Sequence, residues 1–321
     1  MKSYKAAAAV AALLLTAGCS SAPLSQGQAS AEAGGGQQIQ VGVIPIVDVA
    51  PIYLGKEQGF FEDEGLSLEL VSAQGGAAIV PAVTSGTMDF GFSNVSSMLL
   101  AKSKGLDVKM VASGASSTGE DGKDFGGILV AKDSPLTSPA DLAGKTVAVN
   151  TLNNINDTTV RASVRKAGGD PSTIKFVELA FPDMQAALER GQVDAIQVVE
   201  PFLTAGTGEG AKLLASNYVD AADGLTVGAY FTTAATASGN PELVKKFTAA
   251  MEKSLQYAQD NPDAVRRILP TYTKIDAATA EKLTLPGFSM EINRASVEEL
   301  VTLSKGDGVL ADDVNLDELL P

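Results

Sequence analysis

Between Ile39 and Asn94 the chain repeats one order of signals: an apolar run, a short loop, a helix start. Ile39-Gln-Val-Gly-Val-Ile44 has the character of a buried strand, and Pro45 ends it because proline has no N–H to give a central ladder. Pro51 stands at the first position of a helix that Gly59 closes. Leu66-Ser-Leu-Glu-Leu-Val71 alternates at its start as a half-buried strand does. Gln74-Gly-Gly76 opens a second helix reaching Ser85-Gly86; Met88 to Phe92 forms a third strand, and Ser93-Asn94 begin the next helix. Such an order commits the chain to an α/β fold. It also brings helix N-termini and small polar residues to the C-terminal ends of strands, where open α/β sheets bind ligands. Asp48, Tyr53, Gln74 and Asn94 fall at those ends and are candidate ligand contacts.

The second part of the chain repeats the pattern. Ser138-Pro139 starts a helical turn, and Lys145 to Val149 is a strand. A helix from about Thr158 to Ala167 follows the polar turn Thr151-Leu-Asn-Asn-Ile-Asn-Asp157. One of Asn153, Asn154 and Asn156 caps that helix, or two of them meet a ligand. Arg190-Gly-Gln-Val-Asp194 echoes Ser85-Gly-Thr-Met-Asp89, so each half carries a helix, a glycine stop and a strand with an early aspartate. Two crossings, at about residues 124–131 and 226–234, imply a hinged molecule of two lobes. The expected division is residues 39–128 with 231–321 for the first lobe and residues 129–230 for the second. Tyr230 joins the candidate pocket. The helices that follow, including a long one begun by Asn240-Pro241, carry no chemical motif and are expected to be structural.

Composition excludes several activities. The chain of 321 residues has no histidine, no tryptophan and a single cysteine. Histidine-based nucleophilic triads and histidine-ligated zinc or iron are impossible, as are an internal disulfide and a cysteine metal cluster. No metal or cofactor is expected, and no catalytic residue is identified. The formal charge of −14 disfavours nucleic acid and acidic membrane surfaces as partners.

At the N-terminus, Lys2 and Lys5 precede an apolar segment from Ala6 to Leu15, too short to span a bilayer and of signal-peptide length. It ends Leu15-Thr-Ala-Gly-Cys19, which resembles a lipoprotein cleavage site. Residues 1–18 are therefore expected to be removed and Cys19 to be acylated, palmitate included. Residues 19–38, rich in Ser, Ala, Gly and Gln, form an expected tether at the extracytoplasmic face of a bacterial membrane.

The stretch Pro51-Ile-Tyr-Leu-Gly-Lys-Glu-Gln-Gly-Phe-Phe-Glu-Asp-Glu-Gly-Leu66, with Gly75-Gly76 and Ser85-Gly-Thr-Met-Asp89, resembles a known family. It is similar to the substrate-binding lipoproteins of ABC importers for nitrate, sulfonates, taurine and thiamine-precursor pyrimidines. The resemblance implies a periplasmic-binding-protein-like fold, each lobe a doubly wound sheet, joined by two crossover hinge segments. It also implies a monomer that takes a small solute between its lobes and delivers it to an ABC permease. The same family includes pyrimidine-synthesising enzymes, which depend on histidine. Relatives commonly place Gly-Ser where this chain has Asn153-Asn154. Glu200-Pro-Phe202 resembles a family position at the cleft, which brings Glu200 into the candidate pocket. The solute is expected to be of sulfonate, pyrimidine or amine type. Helix N-termini can hold a sulfonate or carboxylate without arginine. The two acids, Asp48 and Glu200, and the lack of arginine among the candidates tilt the reading towards an amine or ring nitrogen, as in a pyrimidine or an amino-sulfonate. A sensor or adhesin would need a signalling or repeat module, and none is visible.

Overall fold

The computed structural model describes residues 36–321. The expected signal segment, Cys19 and most of the expected tether lie outside the described residues. The first strand starts at Gln37, inside the segment read as tether, because the Gln37 N–H reaches the Gly65 carbonyl and Gln37 pairs with Leu66.

The molecule has two mixed sheets of five strands each. The first contains β1 (Gln37–Val43), β2 (Leu66–Ser72), β3 (Phe90–Asn94), β4 (Lys109–Ser116) and β10 (Thr226–Thr232), in the order β2-β1-β3-β10-β4. The second contains β5 (Gly126–Val130), β6 (Thr146–Val149), β7 (Lys175–Glu178), β8 (Ala195–Val199) and β9 (Lys212–Ala215), in the order β7-β6-β8-β5-β9. The two plans are the same. In each, a parallel trio is followed by an antiparallel strand: β10 in the first sheet and β5 in the second. Each antiparallel strand is the one the chain forms immediately after crossing from the other lobe. This is the two-lobed α/β architecture with two crossovers.

The crossings fall earlier in the chain than the sequence suggests. β5 pairs along its whole length with β8, and β10 with β3 and β4, so the expected boundaries at 128/129 and 230/231 lie inside strands. The connections are residues 117–125 and 216–225. The apolar runs that looked like crossovers are buried strands, since a segment that is buried on both faces carries no polar alternation. β4 runs through Ser116, whose N–H and carbonyl exchange hydrogen bonds with Gly287.

The sequence echo has a structural cause. Asp89 Oδ2 accepts the Gln40 N–H at 2.8 Å, and Asp194 Oδ2 accepts the Thr146 N–H at 2.8 Å. Each carboxylate extends the ladder between the third and first strands of its sheet. The glycine before it, Gly86 at φ 75° and Gly191 at φ 64°, makes the left-handed turn out of the preceding helix.

Helices cover both sheets. The long helix Pro241–Asp260 buries Leu243, Phe247, Met251, Leu255 and Ala258 at helical spacing against the first lobe, where Phe247 stacks on Phe90 at 4.0 Å. Burying each of its large side chains contributes about 1.5–3 kcal/mol. The C-terminal region also reaches the second lobe. Asp307, after the helix Arg294–Gly306, pairs with Arg165, and the Thr284 N–H donates to Glu200. One apolar cluster draws buried side chains from both lobes, so the lobes are closed on each other, and a second, smaller cluster around Ile128, Val147 and Val160 lies within the second lobe. Among the described residues no helix is long and apolar enough to cross a membrane.

Candidate functional site

The C-terminal ends of the parallel strands of both sheets converge on a cavity of about 30 Å³ whose lining side chains are mostly buried. From the first lobe it is lined by Ile44, Ile46 and Asp48 after β1, Phe92 and Asn94 at the end of β3, and Val227 and Gly228 in β10. The second lobe contributes Asn150 after β6, Ile155 and Asn156, Phe181, Val199 at the end of β8, and Tyr218. A second chamber of about 250 Å³ lies at the surface between the same lobes. Ile44, Pro45, Ile46, Ala73 and Gln74 face Ala180, Phe181, Pro182 and Phe202 across it. Neither chamber is lined by a lysine or arginine among the described residues.

Asp48 is the chemically distinctive residue. It sits in a single helical turn, Val47–Val49, and is 2% exposed. Its Oδ1 has no hydrogen-bond partner among the described residues. Burial pushes its carboxyl up to about 7, and the nearby Asp124 charge adds to this. Asp124, also buried and shifted upward by burial, is fully engaged: it accepts from Ser117 Oγ, Thr118 N and Phe125 N and so closes the first crossover. Two buried acids with raised pKa values share this neighbourhood, and among the described residues no lysine or arginine lines the cavity beside them.

The opposite wall is an amide network. Tyr218 Oη donates to Asn156 Oδ1 at 2.8 Å, and Asn156 and Asn154 both donate to Asn150 Oδ1, at 2.8 and 3.1 Å. The helix Ile155–Lys166 begins here, capped by Asn154, whose Oδ1 accepts the Asn156 N–H at 2.8 Å. The Asp157 carboxylate takes the N–H groups of Asn153, Asn154 and Thr158, so this helix N-terminus already holds a carboxylate of its own.

Of the sequence-selected residues, only Asp48 and Asn94 line the cavity. Asn94 also caps the helix Val95–Ser103 through the Ser97 N–H. Asn154 stands one step behind, orienting Asn150. Asn153 is exposed, has a left-handed backbone at φ 56° and does not line the cavity. Gln74 belongs to the outer chamber. Tyr53 stacks on Tyr272 at 3.9 Å, and Tyr272 Oη donates to the Ile46 carbonyl, so the pair braces the loop that carries Asp48. Tyr230 is buried behind that loop against Phe92 and Phe247.

Glu200 is engaged by partners within the protein and ties the lobes together. Its Oε1 accepts Thr204 Oγ1 at 2.7 Å and the Thr284 N–H at 3.1 Å, and its Oε2 accepts the Thr204 N–H at 2.9 Å. Burial pushes it up to about 6 despite those hydrogen bonds. Its carbonyl accepts the Val47 N–H, next to Asp48. The wall residues missed from sequence are Asn150 and Tyr218, whereas Asn156 is among the three asparagines read as helix cap or ligand contact. Asn150 immediately precedes the turn that was singled out, and Tyr218 follows a short edge strand with no motif around it. Close approach of the lobes explains Gly75: a Cβ there would lie 2.9 Å from Thr151 Oγ1 and 3.3 Å from Asn150 Nδ2 across the cleft.

The family model described as NMT1/THI5 like matches residues 46–265. The formylaminopyrimidine-binding protein of Halalkalibacterium halodurans is 26% identical over 61% of the chain, and the match spans 56% of that protein. The putative aliphatic sulfonates-binding protein of Bacillus subtilis is 24% identical over 85% of the chain and 80% of its own length. Among solved structures, the alkanesulfonate-binding protein SsuA from Xanthomonas axonopodis pv. citri, bound to MOPS, superposes with a TM-score of 0.74 at 20% identity, covering 90% of this chain and 99% of that one.

Proposed function

Because the chain belongs to the NMT1/THI5-like family, we propose that it is the solute-binding component of an ABC importer, closing its two lobes on a small organic solute that carries hydrogen-bond donors or positive charge. The observation that carries the solute class is Asp48: a buried carboxylate on the cavity wall with an oxygen left unpartnered and no basic side chain lining the cavity. A simple anion would meet the field of Asp48 and Asp124, and the helix start at Ile155 is already closed by Asp157. An amino or ring N–H group matches what the wall offers, so pyrimidine- and amine-type solutes are favoured over nitrate or plain sulfonates.

Solute enters with the lobes apart and favours the closed form by touching both; the permease then recognises closure. The protein acts as a monomer without cofactor or metal, and it returns the solute chemically unchanged. Cys19 holds it by a lipid at the extracytoplasmic membrane face, and Cys19→Ser should move it into the soluble fraction. Thermal-shift screening with nitrate, alkanesulfonates, taurine, aminopyrimidines and simple amines tests the solute class, since a ligand that binds only the folded state raises the melting temperature. Stabilisation by amino compounds is expected. Stabilisation by nitrate or plain alkanesulfonates alone would reject it.

A further inference from the structure

The cavity beside Asp48 and the chamber at the surface share a wall made of Ile44, Ile46 and Phe181. Ile44 and Ile46 come from the first lobe and Phe181 from the second, so this wall is a seam between lobes. Parting the lobes joins the two chambers, and closing them clamps whatever lies across the seam. The sizes differ strongly. About 30 Å³ is the room of a single water, or of one amino or ammonium group. A cavity of about 150 Å³ accepts a benzene molecule, so 250 Å³ takes a substituted ring or a short hydrocarbon chain. The linings differ in the same sense. The inner chamber is lined by Asp48, whose Oδ1 has no partner among the described residues, whereas the outer one is walled mainly by apolar side chains, with Phe202 stacked on Phe181 at 5.6 Å and 17°.

We infer that the solute is bipartite: a compact amino or ammonium head held by Asp48 in the inner chamber, and an apolar or aromatic body of up to about 250 Å³ held across the seam in the outer chamber beside Phe202. This inference rests on the donor-bearing solute class proposed above and adds the shape and polarity of the rest of the molecule. It makes the outer chamber the determinant of selectivity among molecules that share one head group. Ala73 and Phe202 are the residues that set its size from opposite lobes.

Calorimetric titration at pH 8 with methylamine, propylamine and benzylamine tests the division, with benzoate and benzenesulfonate as probes of equal body and opposite charge. Benzylamine should bind roughly ten- to hundred-fold more tightly than methylamine, the gain expected from burying one ring. Ala73→Leu, which fills the outer chamber, should erase most of that ratio while leaving methylamine within about threefold. Phe202→Ala should reduce the ratio by removing one wall, and circular dichroism checks that both variants fold. Equal affinity across the amine series, or a ratio unmoved by Ala73→Leu in a folded protein, overturns the bipartite solute and leaves the donor-bearing class standing. Tighter binding of the two anions than of benzylamine, or no binding by any amine, overturns both.

Discussion

Asp48 and Glu200 occupy opposite lobes and are almost equally buried, at 2% and 1% exposure. Both carboxyls are pushed above their ordinary range by that burial. They differ in what meets their oxygens. Glu200 has three donors from Thr204 and Thr284, which cover both oxygens and tie the second lobe to the C-terminal region. Asp48 lines the cavity and keeps one oxygen with no partner among the described residues. A buried acid with its hydrogen bonds made is a structural joint, whereas one with a bond left over is a place for a ligand, because leaving a buried charged group unsatisfied costs more than a single bond contributes. Burial and residue type alone do not separate the two.

The largest expected effect is at Asp48. Asp48→Asn keeps the shape and removes the charge, so affinity for a cationic amine should fall roughly ten- to hundred-fold, the worth of about 1.5–3 kcal/mol for a charge-assisted hydrogen bond. The melting temperature without ligand should hold or rise, since a poorly compensated carboxylate has left the interior. A drop in affinity of less than threefold would place the solute's charged group elsewhere and erase the contrast with Glu200.

The same contrast has a pH signature. With its pKa raised to about 7, Asp48 in the closed lobes holds a proton that the unfolded chain has already lost. Between the ordinary carboxylate range and about pH 7 the folded state therefore binds more protons, and this group's stabilising contribution is lost as pH rises through that window. A cationic solute replaces the proton as countercharge. Its affinity should be highest above about pH 7 and fall by up to about tenfold per unit below it. Titrations from pH 5.5 to 8.5 on the parent and on Asp48→Asn check this, and a parent profile as flat as the variant's would remove Asp48 from the site.

Glu200→Gln should give a smaller effect of a different kind. It disturbs the donors of Thr204 and Thr284 and should lower stability by about 1–3 kcal/mol. Any change in affinity should be a common factor for every solute, because the variant alters closure and not recognition. Chemical denaturation with paired titrations of two amines separates these possibilities. Selective loss for one amine would restore Glu200 as a ligand contact.

The architecture was readable because its signals are local. Alternating apolar runs, proline at helix starts, glycine stops and the two ladder-extending aspartates, Asp89 and Asp194, each act within a few residues of their place in the sequence. The site was only partly readable because its wall is set by which oxygens find partners far along the chain. Thr284, which occupies Glu200, lies 84 residues away, and Tyr218 meets Asn156 from 62 residues away. No local pattern records such meetings. The crossovers were misplaced for a related reason: a fully apolar strand of one lobe and an apolar connection between lobes look alike until their pairing partners are known.

Asn153 offers the smallest effect and a clean control on the polar turn Thr151–Asp157. The sequence placed it beside Asn154 as a possible ligand contact, yet the side chains have separate fates: Asn154 is buried and capping, Asn153 exposed at φ 56°. Asparagine is one of the few residues that accepts a left-handed backbone, so its role here is conformational. Asn153→Gly preserves that freedom and should leave amine affinity within about twofold and stability within about 1 kcal/mol. Asn153→Val, whose branched side chain resists the conformation, should cost about 1–2 kcal/mol of stability and still leave the affinity of the folded fraction near the parent's. Denaturant melts and calorimetry on the two variants give both quantities. A fall in affinity with Asn153→Gly at unchanged stability would bring its side chain back to the solute and make the second lobe's contribution larger than the Asn150–Asn156–Tyr218 wall.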